Sequence, residues 1–272
     1  MSAIKHKKNF LNEIICGDAL EVLKTIPAKS CQCCVTSPPY YGKRDYNIKG
    51  QIGLEDSPEE YIDNLVKVFN ELHRVLKDSG TLWLNIADSY VNSSQHTQAT
   101  SKLPLKNLML IPERLIIKLQ ENNWIVRQEI IWQKTNTIPE SVKDRFVNCY
   151  EKIFLLSKGR RYYFDHEAAK EPTTGTNNAP QGIPEQRTMR NIWKIPTATG
   201  QGSKDHFAKF PNELAKRCII IGSREEDVVI DPFNGSGTTC RIANNYGRNY
   251  IGIDINQNYC TKAREEIFLR LF

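Results

Sequence analysis

The sequence lacks any apolar run long enough to cross a membrane as a helix. Residues 1–10 are basic and polar, so no signal peptide is expected there. Internal repeats and low-complexity tracts are also absent. These absences exclude membrane-spanning and solenoid proteins. They predict a globular protein of the cytoplasm.

The sequence also lacks paired cysteine spacing. Three of its eight cysteines, Cys31, Cys33 and Cys34, crowd into one apolar run. Reduced cysteines explain this pattern more simply than a disulfide framework does. No second Cys or His pair stands at zinc-like spacing, so we expect no metal site.

Length and composition indicate one α/β domain, or one such domain with a modest insertion. The chain has 272 residues, of which 40% are hydrophobic and 25% charged, values that are ordinary for a globular protein. The net charge of +6 is compatible with a polyanionic partner and equally with a solvated basic surface.

Short apolar runs alternate with helical periodicity, which predicts an α/β fold with a mostly parallel sheet. The turn between the apolar runs at 125–132 and 150–156 has little room for a helix, so we expect an antiparallel edge strand there. The segment 158–205 is rich in Pro, Gly, Asn and basic residues and has little periodicity, so we place it outside the core. The other expected strands are 13–16, 33–36, 81–87, 228–230 and 250–253. Two helices are expected to start at Ser57 and at Pro112, and three more to span 210–222, 238–245 and 257–271.

Residues 228–239 form a strand that runs into a Gly-rich turn and then a helix. Gly235 and Gly237 let the backbone approach a ligand, and the N–H groups of the helix start suit a phosphate or the carboxylate of a methionine moiety. About twenty residues later the next strand ends in Asp254, where nucleotide-binding α/β folds hold ribose hydroxyls. A tight structural turn would explain the glycines alone, but the spacing to Asp254 favours a nucleoside cofactor.

A second turn, Ser37-Pro38-Pro39-Tyr40, follows another buried strand. The two prolines remove N–H donors, so the carbonyls of Ser37 and Pro38 and the Ser37 hydroxyl remain as acceptors. With the flat ring of Tyr40 beside them, these acceptors suit a planar ring that bears an amino group. The alternative is a rigid Pro-Pro turn with core tyrosines.

Together these two turns and Gly252-Ile253-Asp254 resemble the amino-group DNA methyltransferases. The resemblance extends through 76–85, 151–156 and 207–211, and covers nearly all of the chain except 158–205. Because the Ser-Pro-Pro-Tyr turn precedes the Gly-rich turn, the order resembles the permuted β-type arrangement. The resemblance implies a circularly permuted, Rossmann-like methyltransferase sheet and S-adenosylmethionine as cofactor.

The resemblance also assigns roles to single residues. Asp18 would contact the adenine amino group, Asp254 the ribose, and Phe210 with Pro211 the methionine end. From the residues alone, Asp18 could equally cap a helix and Phe210 could be a buried aromatic. The complete set implied at the cofactor is Asp18, Ala19, Phe210, Pro211, Asp231, Phe233, Gly235, Gly237, Thr238 and Asp254.

The implied reaction is methylation of an exocyclic amino group of a base flipped out of DNA. Tyr40 would stack on the base, while Ser37 and the Pro38 carbonyl would accept amino hydrogens; Pro39 completes the catalytic turn. N4 of cytosine is the expected target, because family members with Ser first in the tetrapeptide resemble the cytosine enzymes more often. N6 of adenine is the alternative.

DNA with a short specific site is the partner that the resemblance implies, within restriction–modification, and a homodimer is compatible with the sequence. The resemblance also implies a source in a bacterium, an archaeon or a phage. Phosphate contacts are expected from Lys43, Arg44, Arg187, Arg190 and Lys194, with Trp193 as an aromatic among them. Residues 1–157 would then form the catalytic half of the domain, 158–205 a target-recognition segment, and 206–272 the cofactor-binding half.

Other classes fit the sequence less well. A nicotinamide dehydrogenase would show Gly-x-Gly-x-x-Gly, but the residues after Gly237 are Thr238, Thr239 and Cys240. A noncatalytic nucleic-acid-binding module would not need Asp18, Asp254 or the Gly-rich turn. A methyltransferase of RNA or of a protein amide is a closer alternative, because planar amides suit a similar pocket.

Overall fold

Strands and helices alternate along most of the chain. The structure is a computed structural model, and it describes residues 10–92, 102–137, 140–173, 185–198 and 210–268. The strands are β1 (Glu13–Cys16), β2 (Cys31–Thr36), β3 (Leu76–Ile86), β4 (Ile125–Lys134), β5 (Tyr150–Ser157), β6 (Lys170–Pro172), β7 (Gln186–Thr188), β8 (Ile192–Ile195), β9 (Val228–Asp231) and β10 (Asn249–Asp254). The helices are α1 (Ala19–Thr25), α2 (Pro58–Val75), α3 (Ile111–Glu121), α4 (Asn212–Gly222), α5 (Thr238–Asn245) and α6 (Gln257–Phe268).

Helix α2 illustrates how the local sequence sets an element. The Ser57 hydroxyl accepts from the Glu60 N–H at 3.1 Å, and Pro58 needs no N–H partner in the first turn. Leu65, Phe69 and Leu72 recur at helical spacing and are fully buried against the sheet. The helix therefore begins at its cap and covers one face of the sheet, as the sequence predicts.

Within the described residues, eight strands form one sheet in the order β1-β10-β9-β2-β3-β5-β4-β8. The neighbours from β1 to β3 pair in parallel, and β4 pairs with β8 in parallel. Only β5 runs the other way, between β3 and β4. The mostly parallel sheet with an antiparallel strand is thus confirmed. The expected edge position is wrong: the antiparallel strand β5 lies two places in from the edge, because β4 and then β8 lie outside it.

Strands β2 and β9 are neighbours in parallel register, with Cys34 beside Ile230. After β2 the chain passes through α2 to β3, which lies next to β2. After β9 it passes through α5 to β10, which lies next to β9 on the opposite side of the β2–β9 pair. The strand order therefore reverses between β2 and β9, and such switch points are where open α/β sheets bind ligands. This confirms that the strands ending before Ser37 and at Asp231 lie side by side.

The described parts of the segment 158–205 are not outside the core, which corrects the expectation from composition. Trp193 in β8 is 5% exposed and stacks on Trp83, with ring centroids 6.3 Å apart. Ile195 is also buried. Only two inward-facing residues of this short strand are apolar, too few to show as periodicity among neighbours rich in Pro and Gly. The expectation that Trp193 contacts nucleic acid is therefore wrong, since its ring is part of the core.

Residues 174–184 and 199–209 lie outside the described residues, and with them part of the proposed recognition segment and residues 207–209 of the resemblance. Among the helices that are described, none is both long enough and apolar enough to cross a membrane. The described residues hold no cluster of three or more His, Cys, Asp or Glu side chains arranged for a metal ion.

Candidate active site

A cavity of about 440 Å³ opens at the carboxyl ends of the central parallel strands. Its walls come from the turn after β2, the turn after β9, the turn after β10 and the start of α1. Because these turns leave neighbouring strands at the same edge of the sheet, residues far apart in the sequence converge there. Twelve of the residues predicted to be catalytic or to bind the cofactor are among those that line it: Asp18, Ala19, Ser37, Pro38, Pro39, Tyr40, Phe210, Asp231, Phe233, Gly235, Thr238 and Asp254.

Asp254 organises the Gly-rich turn. One carboxylate oxygen accepts from the Gly235 N–H and the other from the Asn256 N–H, both at 2.8 Å. Gly235 has φ +51°, a conformation that a residue with a side chain adopts only with strain. Burial raises the pKa of Asp254, and the two N–H bonds oppose that shift. Each oxygen keeps a lone pair with which to accept from a hydroxyl.

Gly237 serves packing instead of the cavity wall. It caps α5 with φ +87°, and a Cβ at this position would stand 2.7 Å from the Cβ of Ala263 in α6. The glycine is therefore needed for the contact between two helices. Pro211, the N-cap residue of α4, also lies outside the residues that line the cavity.

Asp18 lines the cavity and also caps α1, since one of its oxygens accepts from the Glu21 N–H at 3.0 Å. The capping role considered from the sequence is confirmed. It leaves the second carboxylate oxygen of Asp18 for a ligand.

Asn234, in the turn after β9, was missed by the sequence analysis. The residue lines the cavity and is 5% exposed, and neither of its amide atoms has a hydrogen-bond partner within the described residues. Buried amide groups need partners, so a polar ligand fits beside it. Together with Asp18, Asp254 and the Gly-rich turn, this gives the cavity donors and acceptors suited to a nucleoside that carries an amino acid.

The Ser-Pro-Pro-Tyr turn is held from both sides. The Pro39 carbonyl accepts from the hydroxyl of Tyr61 in α2 at 2.8 Å. The Tyr40 hydroxyl donates to a carboxylate oxygen of Glu151 at 2.7 Å, and the Ser37 hydroxyl donates to the Tyr40 oxygen at 3.1 Å. The position of the Tyr40 ring is thus fixed by its hydroxyl as well as by packing.

Three further cavity residues, Asn85, Lys134 and Glu151, come from the adjacent strands β3, β4 and β5. The amide nitrogen of Asn85 donates to Tyr40 and to Glu151, both at 2.8 Å. Lys134 donates to the other oxygen of Glu151 at 2.6 Å. The sequence analysis gave these residues no role. The available signal was Asn85, an amide within the apolar run 82–87 at the end of β3.

The predicted DNA contacts divide into two sets. Lys43 and Arg44 line the cavity. Arg187 lies in β7, which pairs antiparallel with β6, and forms an ion pair of 3.0 Å with Glu171 in β6. Arg190 and Lys194 are exposed. The structure brings none of these last three residues to the cavity wall.

Comparison with known proteins agrees with this geometry. A family model described as DNA methylase, which groups N6 and N4 methyltransferases, matches residues 31–265. The type II methyltransferase M.SmaI of Serratia marcescens is 41% identical over an alignment of 274 positions, which covers 95% of this chain and 91% of that protein. M.XycI of Xanthomonas campestris pv. cyanopsidis is 40% identical over an alignment of 267 positions, which covers 92% of this chain and 86% of that protein.

Two solved structures are similar as well. The PvuII DNA methyltransferase, named as cytosine-N4-specific, has a TM-score of 0.71 and 20% identity, with 92% of this chain and 84% of that chain covered. At that identity the likeness concerns the fold. TTHA0409 of Thermus thermophilus, a putative DNA modification methylase by its description and solved with S-adenosyl-L-methionine, has a TM-score of 0.67 and 26% identity over 94% and 93%.

Proposed function

Since the chain belongs to the N6/N4 DNA methylase family, we propose that it methylates the N4 amino group of cytosine at a short specific site in DNA. It is a DNA methyltransferase, and its methyl donor is S-adenosylmethionine, which the similar TTHA0409 binds. The observation that carries the proposal is the single cavity in which the Asp254 turn meets Ser37 and Tyr40.

The cofactor would lie along the Gly-rich turn. Asp254 would accept from the ribose hydroxyls, Asp18 from the adenine amino group, and Phe210 would pack on the methionine end. The unpartnered amide of Asn234 supports a polar ligand at this position. The volume of about 440 Å³ lies within the range of small-molecule sites. Bound there, S-adenosylmethionine supplies an electrophilic methyl group.

The target base would enter the same cavity from DNA. It must leave the duplex, since its amino group is otherwise paired and the methyl donor is enclosed. Tyr40 would stack on the base, and the Ser37 hydroxyl and Pro38 carbonyl would accept from its amino group. Positioning of the nitrogen lone pair toward the methyl group supplies most of the acceleration.

Serine at the start of the tetrapeptide supports cytosine over adenine. In the amino-methyltransferase family a serine at this position is more often found in the cytosine enzymes, whereas aspartate is mostly found in the adenine enzymes. Because the two target amino groups are chemically alike, N6 of adenine is the second candidate.

Several wider features are part of the proposal. Lys43 and Arg44 at the cavity would hold phosphates beside the flipped base, with Arg187, Arg190 and Lys194 further out. The type II names of the relatives M.SmaI and M.XycI support a place in restriction–modification. A DNA substrate places the enzyme where a prokaryotic genome lies, which is the cytoplasm.

The test is product identification. Purified protein is incubated with S-adenosylmethionine and unmethylated genomic DNA, which is then digested to nucleosides for mass spectrometry. We expect N4-methylcytosine. N6-methyladenine without N4-methylcytosine would overturn the cytosine assignment. Methylation only of RNA or of protein added in parallel would overturn the DNA substrate.

A further inference from the structure

We propose that Glu151 is the terminal acceptor of the proton released by methylation, and that the hydroxyls of Ser37 and Tyr40 carry the proton to it. This inference rests on the proposed function. The hydrogen-bonded chain of side chains begins at Ser37 in the cavity and ends at Glu151 in β5. This strand belongs neither to the Ser-Pro-Pro-Tyr turn nor to the Gly-rich turn.

The chain has two links. The Ser37 hydroxyl contacts the Tyr40 oxygen at 3.1 Å, and the Tyr40 hydroxyl contacts a carboxylate oxygen of Glu151 at 2.7 Å. The Glu151 side chain is 11% exposed and still lines the cavity. Distances of this length allow a hydrogen to move along the chain without displacement of heavy atoms.

The direction of each hydrogen bond follows from the donors available. A carboxylate only accepts, so the Tyr40 hydroxyl must donate to Glu151. Asn85 donates through its amide nitrogen to the Tyr40 oxygen and to the same carboxylate oxygen, both at 2.8 Å. The Ser37 hydroxyl therefore points its hydrogen at Tyr40, and its oxygen keeps a lone pair for a hydrogen of the target amino group.

The side-chain amide of Asn85 lies beside this hydrogen-bonded chain and is only partly satisfied. The residue is 2% exposed, and its carbonyl oxygen has no hydrogen-bond partner within the described residues. A flip of the amide would turn this oxygen toward the Glu151 carboxylate, which is unfavourable. The oxygen thus needs a donor from outside the described contacts, which indicates that a polar group binds next to this hydrogen-bonded network.

Methylation of the amino group releases one proton, which this hydrogen-bonded chain would carry to Glu151. The nitrogen lone pair forms the new N–C bond while the S–C bond of the donor breaks with its electron pair on sulfur. The nitrogen is then positively charged and loses one proton to the Ser37 oxygen. The Ser37 hydrogen passes to the Tyr40 oxygen, the Tyr40 hydrogen passes to Glu151, and the carboxylate ends neutral.

The surroundings of Glu151 suit this role. The titratable groups that face it are Tyr40 from the turn after β2 and Lys134 from β4; Asn85 from β3 is uncharged. The second oxygen of Glu151 forms an ion pair of 2.6 Å with Lys134, which leaves the first oxygen to Tyr40 and Asn85. Burial and the nearby carboxylate raise the pKa of Tyr40, so its phenol stays protonated and passes one proton while it receives another. The next residue in β5, Lys152, instead pairs with Glu113 and Glu129.

The experiment compares single-turnover methylation of DNA by Glu151→Gln, Tyr40→Phe and the double variant. We expect each single variant to lose about 100-fold in rate, within the range for general base catalysis. We expect the double variant to lose no more than either single one, because both changes interrupt one chain. Affinities for S-adenosylmethionine and for DNA should be unchanged in calorimetry and gel-shift titration. The control is Glu129→Gln, a carboxylate on β4 that does not line the cavity, and it should react at the wild-type rate.

Chemical rescue separates a proton acceptor from a residue that only positions Tyr40. Formate added to Glu151→Ala should restore much of the rate, since it is a small carboxylate that can take the proton. Nitrate, which has a similar planar shape but is a far weaker base, should not. Equal rescue by both anions, additive losses in the double variant, or a wild-type rate in Glu151→Gln would each overturn the relay. A wild-type protein that fails to methylate DNA would instead overturn the proposed function.

Discussion

The side chain of Thr36 donates a hydrogen bond of 2.6 Å to the carboxylate of Asp231, and both residues are buried. Thr36 ends β2 just before the Ser-Pro-Pro-Tyr turn, and Asp231 ends β9 just before the Gly-rich turn. The same oxygen of Asp231 accepts from the Phe233 N–H at 3.0 Å. One buried carboxyl group therefore joins the two turns that form the cavity.

Because Asp231 is buried, we expect its ionisation to lower the free energy of unfolding as the pH rises. Burial raises the pKa of Asp231 from 3.8 to about 6. An acid whose pKa is raised by folding contributes stability below pH 3.8, and that contribution is lost as the pH rises toward 6. Asp231→Asn keeps an oxygen for Thr36 and Phe233 but cannot ionise. We expect it to be more stable than the wild type at pH 7.5, by at most about 3 kcal/mol, and equally stable near pH 4.

Urea unfolding at the two pH values measures this difference. Asp56→Asn, a change of the same kind at an exposed carboxylate, is the matched control and should change stability little at either pH. If Asp231→Asn is less stable than the wild type at pH 7.5, the ionised carboxylate contributes more through its hydrogen bonds than its burial costs.

The sequence predicted both turns because each is local. The glycines, the prolines and the acids at the strand ends are contiguous or evenly spaced, and their chemistry can be interpreted without knowledge of strand order. The group formed by Asn85, Lys134 and Glu151 is not local. Its members lie on three strands and meet only because β5 lies between β3 and β4 in a specific register. The core position of Trp193 was missed for the same reason, since it depends on the pairing of β8 with β4.

Loss of the Asp254 carboxylate is predicted to weaken binding of the cofactor. Asp254→Ala should lower the affinity for S-adenosylmethionine by more than about tenfold, the effect of a lost charge-assisted hydrogen bond. Isothermal calorimetry measures the affinity. Because Asp254 also accepts from Gly235 and Asn256, thermal unfolding must show that the variant is folded. Asp254→Asn is the matched control for the turn: it keeps an acceptor but no charge, and should lose less. An affinity that Asp254→Ala leaves unchanged would refute the ribose assignment.

Loss of the Tyr40 side chain is predicted to affect turnover and not the cofactor. Base–aromatic stacking contributes about 1–3 kcal/mol. Tyr40→Ala removes this stacking together with the hydroxyl that contacts Glu151, so we expect turnover to fall more than about 100-fold. The affinity for S-adenosylmethionine should stay near the wild-type value, because the ring would face the base. Steady-state methylation kinetics and calorimetry measure the two quantities. Turnover that survives the change would move the base pocket elsewhere.

The arginines of the proposed recognition segment are predicted to differ in their contribution to DNA binding. Arg190 is exposed and forms no ion pair among the described residues, whereas Arg187 already pairs with Glu171. A phosphate contact by Arg187 must first replace that carboxylate, and one by Arg190 need not. Each phosphate neutralised contributes about 0.9 to the slope of log affinity against log salt concentration. We expect Arg190→Gln to lower DNA affinity and to reduce the slope by about one, and the double change with Arg187→Gln to lower both further.

Titration of a labelled duplex at several salt concentrations measures the slope. Lys67→Gln, a cation on α2 that does not line the cavity, is the control and should leave it unchanged. If Arg187→Gln alone flattens the slope as much as Arg190→Gln, the ion pair with Glu171 opens at no cost when DNA binds. If neither arginine alters the slope, the phosphate contacts come from another surface. Lys43 and Arg44 are then the residues to replace next, because they are the predicted DNA contacts that line the cavity.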